Sequence, residues 1–423
     1  MKRSVWITAA LIAGLLLVGI AGYFFWHTSQ NKYVKADHIG MSEAMGNTLP
    51  GSGEEEEGAA SMSQEDLSSS PPESEKMEGE SFAEKEGEIG GESDPDSGAV
   101  LTGEEAGGPV RLVFAGDILL SDHVLGAYSR GGGIGGVLDP GFFGVIEDSD
   151  IFMANQEFPF SSRGQAAPDK QFTFRLPPEK VSVFKELGLD IVTLANNHAL
   201  DFGTDALLDT CDTLDQAEIL HVGAGRNIDE AKKPVFLESK GKKVGFLGAS
   251  RVIPVGSWNA GQNTPGMLTT YDPSLLVEEI HKAREKCDFL VVYVHWGIER
   301  DERPQDYQRK LGQQYIDAGA DLVIGSHPHV LQGFEYYKGK PIVYSLGNFI
   351  FGSSIPKAAL LTVEWDGMDQ ALKLWPGTSS AGYTRMLSDD GEKAAFYQYM
   401  TSISYGAEVG PDGNIFPASS AAP

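Results

Sequence analysis

Six short apolar runs between Val110 and Leu346 each break off at a residue bearing an acid, an amide or an imidazole, and that recurrence narrows the folds open to the chain. "VRLVFA" (110–115) runs into Gly116-Asp117, "DIFMA" (150–154) into Asn155-Gln156-Glu157, and "DIVTLA" (190–195) into Asn196-Asn197-His198. "DFLVVYV" (288–294) ends at His295-Trp296-Gly297, "DLVIGS" (321–326) at His327-Pro328-His329, and "PIVYSL" (341–346) at Gly347-Asn348. Runs apolar at every residue, rather than at every second one, suit a parallel sheet covered on both faces by helices. Helix-length segments alternate with them at 177–188, 203–218, 274–287 and 306–319, and "KVGFLGA" (243–249) adds a further strand. The expected class is α/β, with "AALLTVEW" (358–365) as one more strand and 390–404 as a closing helix.

In an open parallel sheet the functional crevice lies beyond the carboxyl ends of the strands. Each polar ending alone has an ordinary explanation, since an Asp after a strand caps a helix or turn and a single His packs with a hydrogen bond. Together they are harder to dismiss, because four of the nine histidines (His198, His295, His327, His329) sit at these ends. The H-x-H spacing projects two imidazoles to one side of an extended segment. Oxygen and nitrogen donors without a thiolate suit Mn²⁺, Fe or Zn²⁺, and the groups suffice for two ions flanking an in-line displacement. A nearby His then serves the leaving group as general acid. No G-x-S-x-G elbow and no P-loop is present. "GGGIGG" (131–136) reads as a flexible loop, or a lid.

The chain holds 60 Asp+Glu against 33 Lys+Arg, a net charge of -27, which argues against a nucleic-acid partner. Eighteen acidic residues and two lysines lie between Gly51 and Gly108. Residues 27–108 therefore read as a disordered Glu/Ser/Gly/Pro-rich linker. Before it, Val5 to Trp26 carries no charge, and at about 1.5 Å per residue spans roughly 33 Å, enough to cross a hydrocarbon core. Lys2 and Arg3 precede it and "YFFW" closes it, so residues 1–4 are expected in the cytoplasm and 5–26 as a single-pass anchor in the cell membrane. A cleaved signal peptide is the alternative, and either way the rest is expected outside the cell. The folded domain is expected over 109–405, with 406–423 as a flexible tail. Cys211 and Cys287 form neither a disulfide framework nor a CxxC motif, and read as free thiols.

The strings "FAGDILL", "NQEFPF", "DIVTLANNHALDFG", "VYVHWGIE" and "IGSHPHVLQGFEYYKGKPIVYSLGNFIF", in this order, resemble the CapA family of poly-γ-glutamate capsule synthesis proteins, within the calcineurin-like metallophosphoesterase superfamily. The resemblance covers 110 to about 352 and implies a four-layer α/β sandwich with a metal site at one rim. It further implies Asp117, Glu157 (at the bridging position), Asn197, His295, His327 and His329 as metal ligands, His198 as general acid, and Asn155, Trp296, Glu299 and Asn348 as their supports or pocket walls. The D-x-H histidine of the first motif is replaced by Leu119, and His123 is the nearest other imidazole in the sequence. The implied role is in making, exporting or anchoring an anionic envelope polymer, beside polyglutamate synthase or export subunits. Two readings stand: a metal-dependent hydrolase, or a non-catalytic tether with a structural or vestigial metal site.

Overall fold

The computed structural model describes Ala99–Val100 and residues 107–418; the expected anchor at 5–26 and most of the expected linker lie outside the described residues. Two sheets face each other. One has ten strands: β2 (Val110–Ile118), β3 (Ile151–Gln156), β4 (Ile191–Thr193), β5 (Leu220–Val222), β14 (Asn348–Ile350), β15 (Ser354–Trp365), β16 (Gln370–Ser380), β17 (Tyr383–Met386), β18 (Ala407–Val409) and β19 (Asn414–Pro417). The other has seven: β1 (Ala99–Val100), β7 (Val235–Ser239), β8 (Lys242–Ser250), β10 (Phe289–His295), β11 (Leu322–Ser326), β12 (Leu331–Tyr337) and β13 (Lys340–Leu346). A two-stranded ribbon, β6 (Ala224–Gly225) with β9 (Gly266–Met267), stands apart.

Strands β2 to β5 run parallel, as do β8, β10, β11 and β13. Alternate residues of each strand enter different cores. Leu112 and Phe114 of β2 meet Phe246, Val291, Tyr293 and Ile324 between the sheets. Val113 and Ala115 pack outward with Phe142, Phe184, Leu207 and Leu214 of the helical layer. On the other side Leu290, Val292 and Val294 of β10 pack outward against Leu276, Ile280, Leu311 and Tyr315, which lie on the helices Ser274–Arg284 and Asp306–Ala318. The layers thus run helix, sheet, sheet, helix. The strands are buried on both faces, as their composition requires, but one of those faces is the other sheet rather than a second set of helices.

Two expectations are corrected. Within 406–423, expected as a tail, β18 and β19 form a hairpin that pairs Ile415 with Leu372 of β16, and Ile415 and Ala407 enter the core between the sheets. Strands of three and four residues are too short to show a period in the sequence. The glycine run 131–136, expected as a loop or lid, is a helix end and a short 3-10 turn: Gly132 caps the helix Asp122–Gly131 at φ 71°, Ile134–Gly136 form the turn, and a Cβ on Gly131 would lie 2.2 Å from Cα of Gly136. Cys211 and Cys287 are free.

Candidate metal centre

The polar endings meet at one rim, where the parallel strands of both sheets finish. The ten-stranded sheet brings Asp117, Asn155, Glu157, Asn197, His198 and Asn348, and the seven-stranded sheet brings His295, Ser326, His327 and His329. Asp117, Asn155, Glu157, Asn196 and His295 are wholly buried, and His327, His198 and Asn197 nearly so. The placement of Asp117 depends on a bulge. Between Phe114 and Asp117 the register of β2 against β3 gains one residue, which turns Asp117 out of the helix-side alternation and toward the seam between the sheets. Tyr293 of the facing sheet donates its hydroxyl to the Ala115 carbonyl at 2.8 Å within that bulge. Gly116 is required there, because a Cβ would sit 1.9 Å from the Gly347 carbonyl oxygen.

A chain of amides then fixes the candidate ligands. Asn155 donates to Asp117 Oδ1 (2.8 Å), and its own Oδ1 accepts from Asn196 (2.9 Å). Asn196 Oδ1 in turn accepts the His198 backbone N–H (3.0 Å). Asn348 Oδ1 lies 2.8 Å from His329 Nδ1, and Ser326 Oγ 3.1 Å from His295 Nδ1. The His327 N–H donates to Asp117 Oδ2 (3.2 Å). His327 and His329 have φ of 101° and 58°, conformations that non-glycine residues rarely hold unless their surroundings enforce them.

Glu157 Oε1 stands 3.8 Å from His295 Nε2 and 3.9 Å from His329 Nε2, between the imidazoles of two strand ends. Donor atoms of Glu157, His327 and His329 all fall within 4.8 Å of one another. His295 Nε2 and Asn197 Oδ1 are 2.8 Å apart. Both carboxylate oxygens of Glu157 and Nδ1 of His327 are buried with no hydrogen-bond partner among the described residues. Burial, with Asp117 close by, holds the Glu157 carboxyl well above the usual range, and burial raises Asp117 despite His329 beside it. Burial and the neighbouring imidazoles press His295 and His327 well below the ordinary value. Unpartnered buried oxygens beside imidazoles held neutral are the donor set that a divalent cation satisfies. The residues fit such an ion.

The expected supports divide. Asn155 and Asn348 contact the candidate ligands Asp117 and His329 as described. Glu299 is exposed at the mouth and near enough to raise the Glu157 carboxyl. Trp296 is not a wall of this site. It follows His295 by one residue and so faces the helices, where its indole donates to the Tyr344 carbonyl (2.8 Å) and lies against Tyr315. Leu119 packs in the helix-side core, and His123 is exposed on its helix.

Lys170 and Asp201, which sequence reasoning missed, complete the surroundings of His198. Asp201 Oδ2 takes His198 Nδ1 at 2.7 Å and the Phe174 N–H at 2.7 Å, while Oδ1 pairs with Lys170. Burial lowers His198, and Asp201 pulls the other way. A lysine in a loop without periodicity carries no sequence signal. Asp201, three residues after His198 in "NNHALD", could have been read as a partner for the imidazole.

Residues 111–353 match the family described as bacterial capsule synthesis protein PGA_cap. "PGA biosynthesis protein CapA" of Bacillus subtilis (strain 168) is 35% identical over 242 residues, 56% of this chain and 62% of that protein. "Capsule biosynthesis protein CapA" of Bacillus anthracis is 35% identical over 250 residues, 57% of this chain and 59% of that protein. A "probable polyglutamine synthesis accessory protein" of Mycobacterium tuberculosis is 29% identical over 217 residues, 49% and 57% of the two chains. The chain thus spans about three fifths of the length of the curated relatives it matches. Among solved structures, TT1561 of Thermus thermophilus shows a distant likeness: TM-score 0.34, 9% identity, 60% of this chain and 94% of that one.

Proposed function

This chain belongs to the bacterial capsule synthesis protein family PGA_cap, and from that premise we propose that it is a CapA-like accessory protein of poly-γ-glutamate capsule or envelope-polymer synthesis whose rim is a divalent-metal hydrolase site. In this reading Val5 to Trp26 anchors the protein in the cell membrane, the folded domain lies outside, and synthase or export subunits are its partners. The observation that carries the site is Glu157: a buried carboxylate with two unpartnered oxygens, set between the imidazoles of two strand ends. Asp117, Glu157, Asn197, His295, His327 and His329 would hold the metal, with Glu157 placed to be shared if two ions bind.

A divalent cation there supplies Lewis acidity and neutralises the charge that builds on a phosphoryl or carbonyl oxygen. The chain's own residues do the rest. Asn155 keeps Asp117 Oδ1 in place, Asn348 and Ser326 orient His329 and His295, and His198 carries the proton for the leaving group.

The test is metal content of the full-length protein, measured with hydrolysis of bis(4-nitrophenyl) phosphate. Bound metal and turnover that both fall in Glu157→Gln are expected, and a chain that takes up no transition metal under any loading would sink the proposal. One observation favours a second reading, a non-catalytic tether: Leu119 occupies the place of the D-x-H histidine and points into the core. That reading requires capsule output to survive His198→Ala with the metal still bound.

A further inference from the structure

The loop 161–176 has no helix or strand of its own, yet its middle is fastened at the rim and its two ends to the segment 202–209 that follows Asp201. At its ends, Arg163 forms a two-pronged pair with Asp209 (Nε to Oδ2 3.0 Å, Nη2 to Oδ1 2.5 Å), and the Arg175 guanidinium lies 4.0 Å over the Phe202 ring. In between, Asp201 takes three bonds from the loop: the Ala167 N–H on its backbone carbonyl (2.7 Å), the Phe174 N–H on Oδ2, and the Lys170 ammonium on Oδ1. Lys170 also donates to the Asn197 carbonyl and lies 3.0 Å from His198 Nδ1, with the Trp258 ring centre 5.2 Å from its ammonium. Phe174 closes over the imidazole, ring centres 4.5 Å apart.

A carboxylate can only accept, so the shorter 2.7 Å contact with Asp201 Oδ2 assigns the proton to His198 Nδ1, and the 3.0 Å approach of the Lys170 ammonium to that nitrogen is then a close contact and not a hydrogen bond. Nε2 has no hydrogen-bond partner among the described residues. One ammonium therefore fixes three things together: the backbone of a candidate metal ligand, the carboxylate that holds the imidazole, and the loop whose phenyl ring covers it. Two of its N–H donors are taken by Asp201 Oδ1 and the Asn197 carbonyl, which gives it a holding role within the protein.

We propose that Lys170 is a positioning residue for His198: by bracing Asp201 and the Asn197 carbonyl it holds the imidazole by Nδ1 and keeps Nε2 turned toward a bound ligand. The catalytic part of this inference rests on the reading of His198 as proton donor, whereas the orientation of the ring does not.

The experiment uses the full-length, metal-loaded protein with Lys170→Met, Lys170→Arg and Phe172→Ala, the last an exposed residue of the same loop. Three readouts are taken: metal content, the kcat and KM for bis(4-nitrophenyl) phosphate across pH, and the ¹⁵N signals of selectively labelled histidine. Lys170→Met is expected to keep its metal and its KM while kcat falls about 10- to 100-fold, the usual loss for a residue that orients a working group. Its kcat–pH profile should shift, Lys170→Arg should recover part of the rate, and Phe172→Ala should match wild type. In the spectra His198 should carry its proton on Nδ1 in wild type and lose that single state in Lys170→Met. A wild-type His198 protonated on Nε2 alone would overturn the proposal, as would an unchanged kcat in Lys170→Met or an equal loss in Phe172→Ala. If the wild type binds metal but hydrolyses nothing, the reading of the reaction fails, and the histidine signals still decide the orientation.

Discussion

The two sheets bring different atoms to the same rim. The ten-stranded sheet contributes oxygen, in Asp117, Glu157 and Asn197, while the seven-stranded sheet contributes nitrogen, in His295, His327 and His329. Neither set is a complete centre. Oxygen donors without imidazoles would favour a hard cation over a transition ion, and three imidazoles without carboxylates would leave the ion's charge unanswered. The centre is thus a product of sheet packing, and ion affinity and the seam between the sheets should respond to the same substitutions.

The largest test of that comparison removes one donor from each side. Glu157→Ala and His327→Ala should each weaken divalent-cation binding by more than ~10³-fold, over about 4 kcal/mol, beyond the 10- to 100-fold expected for an outer partner. Calorimetric titration would check this, and a loss confined to one side would mean that one sheet suffices. Next, Gly116→Ala forces a methyl against the Gly347 carbonyl at the meeting of the sheets. It should lower stability by about 3 kcal/mol, read in denaturant unfolding, and lower ion affinity with it.

A third prediction concerns a part of the ten-stranded sheet remote from the ligands. Burial pushes the Asp190 carboxyl up to about 6, although it accepts the Phe152 N–H at 2.8 Å. A carboxyl whose folded pKa is raised binds its proton more tightly when folded. Its contribution is complete below the unfolded value near 4 and is lost as pH rises through about 6. Asp190→Asn should remove that fall, up to about 2–3 kcal/mol between pH 4 and 7, with ion affinity unchanged. Coupled loss of affinity would show that the two ends of the sheet are not independent. Smallest is Tyr293→Phe, which deletes the hydroxyl bond from one sheet to the bulge of the other. It should cost about 1 kcal/mol in stability, with a slight fall in ion affinity.

Much of this was legible in the sequence because each strand is buried on both faces and so reads as an unbroken apolar run. The polar residue that ends each run then marks the rim, which is how Asp117, Glu157, His295 and the H-x-H pair stood out together. The same feature hid the rest. A strand apolar at every position has lost the alternation that tells one face from the other, so nothing in "VVYVHWG" says that His295 faces the partner sheet and Trp296 the helices. The extra residue at Ala115-Gly116, which re-aims Asp117, is equally silent, since a bulge changes the count between neighbours and not the composition. Lys170 reaches the centre by a loop path that only the tertiary structure defines.

The hairpin of β18 and β19 has a practical meaning of another kind. It pairs with Leu372 and Lys373 of β16, so it occupies backbone donors and acceptors that a shortened chain would leave open along an edge. Stopping the protein at residue 405, as its sequence invites, would expose those groups and the apolar ground under Ile415. An uncovered strand edge is a template for pairing with another chain, so such a fragment is expected to fail first in solubility, before any loss at the centre can be measured.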